Sequence, residues 1–231
     1  MQIVIPVYNA VNVVKECFAA IDSLYSDRDL IVVDDFSDVE TRNYLISYES
    51  TYKNNTVVIR RSSRGWFTRA VNTGVRHAMC RGTSDKFYLI NSDCILKEGS
   101  LEELNNCWVT AEKECTSPVG LVGAHGPNGK KPMYEVINEP QYITGHLLLL
   151  SKDILKKEKL RFPQEDGDVK GFTARDLIHI RSDKALSYEL NRRGYLTIAS
   201  WHAQHVHKGG ASWDRDLSKV SEVNLKILQE Q

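Results

Sequence analysis

Three aspartates follow apolar runs that are typical of buried parallel strands. Asp34 and Asp35 follow the apolar residues 30–33, and Asp93 comes shortly after the run that ends at Ile90. In an open α/β sheet, ligands bind beyond the carboxyl ends of the strands, so these carboxylates are expected to converge at one sheet edge. Converging carboxylates suit a hard divalent ion such as Mg²⁺ or Mn²⁺, which keeps several waters and also binds substrate phosphates.

Acidic residues at strand ends also cap the helix that follows, and this structural role competes with a metal site. The capping role is weak for Asp93, because the next predicted helix begins only near Leu101. It is strong for one member of the Asp34–Asp35 pair, since a predicted helix begins at about Val39.

Histidines cluster in a second stretch that could perform chemistry. His202, His205 and His207 are three of the seven histidines, and Gly209 and Gly210 follow them closely. In an extended segment the rings of His205 and His207 would point to the same side, because side chains alternate along a strand. This arrangement favours contact with a metal ion or a phosphate. A zinc site of cysteine and histidine is the rival interpretation, but no cysteine lies nearby.

Several common nucleotide-binding and hydrolase motifs are missing from the sequence. It contains no Gly-x-x-x-x-Gly-Lys-Ser phosphate loop, no Gly-x-Gly-x-x-Gly after the first predicted strand and no Gly-x-Ser-x-Gly nucleophile elbow. P-loop nucleotide hydrolysis, dinucleotide-dependent oxidoreduction and α/β-hydrolase chemistry are therefore disfavoured.

The composition limits the expected partners and location. The 231 residues contain 30 Lys+Arg and 30 Asp+Glu, so net charge gives no support for a nucleic-acid or membrane-surface partner. The five cysteines are odd in number and include no Cys-x-x-Cys pair, which favours reduced thiols in the cytoplasm. The longest purely apolar run, residues 147–150, is far too short to span a bilayer, and no signal peptide is evident.

The elements that would position these residues alternate between strand and helix through the first 125 residues. Such alternation favours an α/β domain with a mostly parallel sheet and right-handed crossovers. The predicted strands are residues 2–6, 29–35, 56–60, 87–90 and 120–124, and the predicted helices are residues 11–24, 39–52, 66–80 and 101–114.

The second half of the sequence is less regular. Residues 125–140 are typical of a loop or irregular hairpin, and residues 141–150 favour a strand pair or a strand with a bulge at Gly145. The tail from Leu217 is amphipathic, so it either packs on the body or offers a face to a second copy of the chain. The remaining predictions are helices at residues 151–159 and 182–193, a strand at 195–199 and a loop at 201–212.

Motifs along nearly the whole chain resemble the family 2 glycosyltransferases, which have the GT-A fold of nucleotide-diphospho-sugar transferases. Three of the motifs lie at predicted strand ends, at residues 5–9 (Ile-Pro-Val-Tyr-Asn), 31–37 (Ile-Val-Val-Asp-Asp-Phe-Ser) and 89–93 (Leu-Ile-Asn-Ser-Asp). Three others lie at residues 70–74 (Ala-Val-Asn-Thr-Gly), 182–195 and 205–212. Each motif is modest alone, but the six occur in the order of the family.

This resemblance implies an inverting, metal-dependent glycosyltransferase. The enzyme would move a sugar from a nucleotide diphosphate, with UDP- or dTDP-sugars as the expected donors, to a hydroxyl of a glycan or glycoconjugate in polysaccharide or glycoconjugate synthesis. Residues 1–231 would form a single three-layer α/β sandwich with helices on both faces of the sheet. Residues 1–125 would bind the nucleotide sugar, and residues 126–231 would bind the acceptor.

The same resemblance implies roles for individual residues. Asp183 would be the general base that deprotonates the acceptor hydroxyl. Asp93, with His205 or His207, would bind the Mn²⁺ or Mg²⁺ that bridges the donor diphosphate. The donor itself would contact Pro6, Val7, Tyr8, Asn9, Asp34, Asp35, Arg64, Asn72, Asn91 and Ser92.

Two positions depart from the family pattern and leave alternatives open. Asn91 stands where the family has its first metal-site acid, and Ser182 stands where a Glu usually precedes the base. A non-catalytic sugar-nucleotide or glycan-binding relative is therefore the alternative function. For the base, Glu165 and Asp166 compete with Asp183, whose own alternative role is to cap its helix. A sugar-1-phosphate nucleotidyltransferase is disfavoured, because the loop after the first strand contains neither Gly nor Arg.

Overall fold

The computed structural model describes residues 1–51, 55–125, 132–138, 141–163 and 182–208 of the chain. The strands in these ranges are β1 (Gln2–Val7), β2 (Asp29–Asp34), β3 (Thr56–Arg60), β4 (Lys86–Ile90), β5 (Cys94–Leu96), β6 (Val119–Ala124), β7 (Tyr134–Ile137), β8 (Leu147–Ser151), β9 (Leu196–Ser200) and β10 (His205–His207). The helices are α1 (Val11–Leu24), α2 (Val39–Thr51), α3 (Trp66–Cys80), α4 (Ser100–Glu114), α5 (Lys152–Lys157) and α6 (Ser182–Arg192).

Eight of the strands form one large sheet in the order β3-β2-β1-β4-β8-β6-β9-β7. Strands β3, β2, β1 and β4 are parallel, β8 is antiparallel to both of its neighbours, and β6 pairs in parallel with β9. The parallel half places the carboxyl ends of β1, β2 and β4 at one edge of the sheet. The predicted α/β fold with a mostly parallel central sheet and flanking helices is confirmed.

Buried side chains pack in two clusters, one on each face of the sheet. On β1, Ile3 and Ile5 belong to one cluster and Val4 belongs to the other, because successive side chains of a strand point to opposite faces. Helices α1, α2 and α4 cover the first face, and α3, α5 and α6 cover the second. The chain therefore folds as three layers, with the sheet in the middle.

Helix α3 lies close to the sheet at Gly74. A Cβ added at this position would collide with Cγ1 of Val4 and lie 3.1 Å from Cγ2 of Val33. The absence of a side chain thus allows α3 to rest directly on β1 and β2. This close packing fixes the position of the loop before α3, which contributes Arg64 to the sheet edge described below.

Three short strands are present that the sequence patterns do not predict. The three strands are β5, β7 and β10. Strand β10 lies where a loop is expected and pairs antiparallel with β5, and β7 pairs antiparallel with β9. The prediction for residues 141–150 is wrong in detail, because the strand β8 begins only at Leu147 and Gly145 lies in the turn before it. These strands form through partners that are distant in the sequence, which local patterns do not reveal.

Some predictions fall outside the described residues. They concern the competing acids Glu165 and Asp166 and the amphipathic tail from Leu217. Within the described ranges, no helix has the length and apolar character that crossing a bilayer requires.

Candidate active site

A cleft opens at the carboxyl edge of the parallel strands, as the topology of an open α/β sheet leads one to expect. Its volume is about 310 Å³. The ends of β1, β2 and β4, the start of α3, the turn before β8 and the first turn of α6 form its walls. The predicted site residues on these walls are Pro6, Val7, Tyr8, Asp35, Arg64, Asn91, Ser92, Asp93, Asp183 and His207. The other lining residues are Trp66, Phe67, Ala70, Tyr142, Thr144, Gly145 and His146.

The adjacent aspartates at the end of β2 have different surroundings. Asp34 accepts a hydrogen bond from the N–H of Ser37 at 2.9 Å, which closes the turn before α2, and it does not line the cleft. Asp35 accepts from the N–H of Gly65 at 2.8 Å and forms a 2.9 Å ion pair with Nε of Arg61. Burial raises the pKa of Asp35 to about 6, although the Gly65 N–H and the Arg61 charge oppose this change. Asp35 is therefore the member of the pair that faces the cleft.

The guanidinium of Arg64 lies against two aromatic rings of the cleft. Its Cζ is 3.9 Å from the centroid of the Tyr8 ring and 3.7 Å from that of Trp66. Such cation–π contacts hold a guanidinium in position at the wall of a site. Trp66 has a φ of 62°, a value that bulky residues rarely adopt and that is typical of strained functional sites. The strained start of α3 thus places both Trp66 and Arg64 on the cleft wall.

Asp93 and His207 are neighbours although they lie far apart in the sequence. The pairing of β10 with β5 places His207 opposite Cys94, the residue after Asp93. Nε2 of His207 lies 3.2 Å from Oδ2 of Asp93, and the N–H of Lys208 donates to the carbonyl oxygen of Asp93 at 2.9 Å. The small β5–β10 sheet therefore brings a carboxylate and an imidazole within reach of one ligand.

His146 is a cleft residue that sequence reasoning missed. Its ring stacks on that of His207, with centroids 3.6 Å apart and planes inclined by 21°. The antiparallel pairing of β4 with β8 extends one residue further, so that the N–H of Asn91 donates to the carbonyl oxygen of His146 at 3.0 Å. Burial, together with His207 and His205, lowers the pKa of His146 to about 4, so its ring is neutral at pH 7.

The cleft meets part of what a divalent-metal site requires. Within the described ranges, no group of three or more His, Cys, Asp or Glu is placed to hold a metal ion. Asp93 and His207 offer two ligand atoms 3.2 Å apart, close to the roughly 3 Å between adjacent ligands of an octahedral Mg²⁺. Oδ1 of Asn91 is buried and has no hydrogen-bond partner among the described residues. This donor set fits an ion whose other ligands are water and phosphate.

Asp183 lies in the first turn of α6 and faces the turn before β8. Its Oδ2 accepts from the N–H of Gly145 at 2.7 Å, and its Oδ1 accepts from the N–H of Lys184 at 2.7 Å. Burial raises the pKa of Asp183 to about 6, against the opposite effect of these two donors. A carboxylate with this pKa is mostly ionised at pH 7 and can accept a proton from a group bound in the cleft.

Four predicted site residues do not reach the cleft wall, namely Asn9, Asp34, Asn72 and His205. The amide of Asn72 exchanges two hydrogen bonds with the backbone of Phe162, at 2.8 and 3.0 Å, which gives it a structural role. Oδ1 of Asn9 accepts from the N–H of Asp38 at 2.7 Å and ties two loops together. His205 lies on β10 and is not among the cleft-lining residues, and its pKa is lowered mainly by burial.

Comparison with known proteins defines the class of the chain. The sequence model of Glycosyl transferase family 2 matches residues 2–164, so the chain belongs to this family. The mannosyltransferase PcManGT from Pyrobaculum calidifontis, solved with GDP-Man and Mn²⁺, has a TM-score of 0.60 and 17% identity over 93% of this chain and 57% of that one. S. aureus TarS 1–349, solved with UDP, has a TM-score of 0.51 and 18% identity over 71% of this chain and 50% of that one. The shared fold is GT-A.

A curated relative is the poly(ribitol-phosphate) beta-glucosyltransferase of Bacillus spizizenii, which is 27% identical over 180 residues. The match covers 71% of this chain and 27% of that relative. The chain therefore spans about a quarter of the length of the curated relative and 50–57% of the length of these two solved structures.

Proposed function

We propose that the protein is an inverting glycosyltransferase that moves a sugar from a nucleotide diphosphate, most readily a UDP- or dTDP-sugar, to an acceptor hydroxyl. The main support is one observation. Asp183, whose pKa is raised to about 6, lies on the same cleft as the Asp93–His207 pair. One part of the cleft thus suits a metal-bound diphosphate, and another part suits the removal of a proton from the acceptor.

The nucleotide of the donor is assigned to the ends of β1 and β2. Pro6, Val7 and Tyr8 line this end of the cleft, and the Asp35 carboxylate can accept hydrogen bonds from ribose hydroxyls or base N–H groups. Arg64, held beside the Tyr8 ring, brings a positive charge to the same wall. A guanidinium in this position suits the donor phosphates, because it binds phosphate oxygens through two parallel N–H groups.

Asp93 and His207, together with Oδ1 of Asn91, are the residues that would hold Mn²⁺ or Mg²⁺. Such an ion, when bound, neutralises the negative charge that builds on the leaving diphosphate. The neutral ring of His146 packs on the ring of His207, and this contact keeps Nε2 of His207 beside Asp93. Because Asn91 replaces a carboxylate, the site has less negative charge of its own and relies more on the donor phosphates for ligands.

Asp183 is the proposed base. The acceptor oxygen attacks the anomeric carbon from the side opposite the diphosphate, a bond to that oxygen forms as the bond to the diphosphate oxygen breaks, and the proton passes to Asp183. This in-line displacement inverts the anomeric configuration. The Gly145 N–H fixes the carboxylate through Oδ2. Each oxygen keeps a second lone pair that can accept the proton.

The relatives support the donor class and the kind of product. PcManGT was solved with GDP-Man and Mn²⁺, and TarS 1–349 was solved with UDP. The Bacillus spizizenii relative is named for poly(ribitol-phosphate) and for beta-glucosyl transfer. We therefore place the reaction of this chain in the synthesis of a polysaccharide or glycoconjugate.

A thermal-shift screen of nucleotide sugars with and without Mn²⁺ tests the donor class. A ligand at about 100 times its Kd stabilises the folded state by roughly 2.7 kcal/mol. For a chain of this size that energy raises Tm by about 5–10 °C. We expect such a shift for one nucleotide sugar in the presence of Mn²⁺, together with slow turnover of that donor. If a nucleotide sugar binds without any turnover, and Asp183→Asn leaves this binding unchanged, the non-catalytic alternative is supported instead.

A further inference from the structure

A second cleft adjoins the active-site cleft and has no role in the donor chemistry proposed above. Its volume is about 360 Å³, and Tyr142 and Thr144 line both clefts. Thr144 precedes Gly145, whose N–H binds the Asp183 carboxylate. A molecule in the second cleft could therefore extend a hydroxyl along the shared wall to the proposed base.

The lining of the second cleft combines aromatic rings with hydrogen-bonding groups. Trp201 and Tyr142 supply the rings, and Glu135, Gln141 and His125 supply a carboxylate, an amide and an imidazole. Aromatic rings pack against the apolar C–H face of a sugar ring, and carboxylate and amide oxygens accept hydrogen bonds from its hydroxyls. The volume also lies within the range of roughly 300–1,000 Å³ that small-molecule sites occupy.

Trp201 is fixed in place before any ligand arrives. Its indole N–H donates to Oε2 of Glu135 at 3.2 Å. The ring of His125 meets it edge-on, with centroids 4.5 Å apart and an angle of 82°. Glu135 lies on β7 opposite Ala199 of β9, and Trp201 follows the end of β9, so both side chains are anchored on paired strands. A rigid ring of this kind lowers the entropy cost of ligand binding.

The charge of the second cleft's own lining favours a neutral ligand. Among the described residues that line this cleft, Glu135 is acidic and none is Lys or Arg, so the lining disfavours a phosphate. Charges of both signs lie at the border with the active site: the Asp183 carboxylate accepts from the N–H of Gly145, and the ammonium group of Lys184 is 5.1 Å from the Tyr142 ring. Neither of these two residues is part of the lining of the second cleft.

We propose that the second cleft is the acceptor subsite and that it binds a neutral, ring-form sugar of the acceptor. The sugar ring packs on Trp201 or Tyr142, and its hydroxyls donate to Glu135. This inference rests on the proposed function, because Asp183 would deprotonate a hydroxyl of the sugar bound here. It adds the chemical class of the acceptor unit and the residues that select it.

Saturation-transfer NMR on the whole chain tests the subsite. The probes are methyl β-D-glucopyranoside, methyl β-D-galactopyranoside and the open-chain polyol ribitol, each with diamagnetic Mg²⁺ and whichever of UDP, dTDP or GDP the wild-type chain binds. At least one glycoside should bind, and ribitol should bind about tenfold more weakly because it has no flat C–H face. Trp201→Leu and Glu135→Gln should each weaken glycoside binding by about fivefold or more. Glu112→Gln, on the exposed side of α4, is the matched control and should bind as wild type does.

The nucleotide affinity of each variant separates the outcomes. Glu135→Gln guards against a folding defect in Trp201→Leu, since it keeps the size and shape of the side chain. Unchanged glycoside binding in Glu135→Gln would overturn the subsite, and equal binding of ribitol would overturn the ring-form assignment. If the wild type binds a nucleotide but no glycoside, the subsite fails and the proposed function stands. If the wild type binds no nucleotide, the proposed function fails and the subsite fails with it.

Discussion

The backbone N–H of Gly145 lies 2.7 Å from Oδ2 of Asp183 and joins the turn before β8 to the first turn of α6. Position 145 has no side chain, and the carboxylate occupies the space beside it. A Cβ added there would lie 3.2 Å from Oδ2 and 3.3 Å from Cβ of Asp183, which is tighter than normal packing. The placement of the proposed base therefore depends on a glycine at position 145.

Gly145→Ala is expected to displace the Asp183 carboxylate by a few tenths of an ångström. Because small misplacements of a reacting group are costly, kcat should fall by about tenfold while donor affinity stays within about twofold. Steady-state transfer at saturating donor, with donor binding measured separately, checks this. The control is Gly99→Ala, where the new Cβ meets no atom within 4 Å; its positive φ of 75° adds a backbone cost that position 145 does not have, so this control is the more demanding of the two for stability. A loss of donor affinity as large as the loss of kcat would contradict the proposed role of this contact.

The pH dependence of transfer should report the raised pKa of Asp183. A general base acts in its deprotonated form, so kcat should be constant above pH 6 and fall about tenfold per pH unit below it. Asp35 also has a pKa raised to about 6, but it lies at the donor end of the cleft. Its protonation should therefore affect the KM for the donor, and Asp35→Asn should keep the acidic limb of kcat. If Asp35→Asn loses the acidic limb of kcat, that limb comes from Asp35 and its assignment to Asp183 is wrong.

Single histidine variants should identify the metal ligand. His207 lies 3.2 Å from Asp93 on the cleft wall, whereas His205 does not line the cleft. His207→Ala should raise the Mn²⁺ concentration needed for donor binding by about 10–100-fold, and His205→Ala should change it by less than about threefold. Asp93→Ala should abolish the Mn²⁺-dependent shift in Tm without preventing folding. Asp27→Ala, at a side chain that is 75% exposed, is the control for Asp93, and equal effects of the two histidine variants would contradict the assignment.

Asn72→Ala should lower stability and leave donor affinity unchanged. The amide holds the N–H and the carbonyl oxygen of Phe162, and both groups would lose a partner in a buried region. The expected loss in the free energy of unfolding is roughly 2–4 kcal/mol, measured by urea denaturation. A folded Asn72→Ala variant with a weakened donor Kd would restore the donor-binding role that the family motif implies.

The strand ends that hold the acidic residues were predictable because their signals are local. Apolar runs followed by Asp35 and Asp93 indicate both the strands and the edge at which ligands bind. Asp34 and Asp35 are adjacent, however, and only the turn to Ser37 decides which of them caps and which faces the cleft. The sequence predicts that one of the two aspartates caps the next helix and the other faces the cleft, but it does not show which is which.

The residues that were missed owe their positions to long-range pairing. His146 reaches His207 because β8 pairs with β4 and β10 pairs with β5, and neither pairing has a local signature. Gly145 resembles a bulge residue in the sequence, and its contact with Asp183 is evident only when α6 packs beside the turn. Asn72 matches the family motif, yet its partner is a backbone ninety residues away. Motif matching identifies positions, and tertiary packing decides what each side chain contacts.

The central claim is that Asp183 removes the proton of the acceptor hydroxyl. It is tested most directly by measuring donor binding and single-turnover transfer on the same samples of wild type and Asp183→Asn at pH 7.5. Donor Kd should stay within about twofold, and transfer should fall by about 10²–10⁴-fold. The Tm at pH 7.5 reports two opposing effects of this substitution. Removing a carboxyl whose folded pKa is raised relieves a cost in stability that applies above pH 6, but Asn has one acceptor oxygen and can bind only one of the two N–H groups that Asp183 accepts from. Transfer by Asp183→Asn at a rate near that of wild type, with intact donor binding, would contradict the claim.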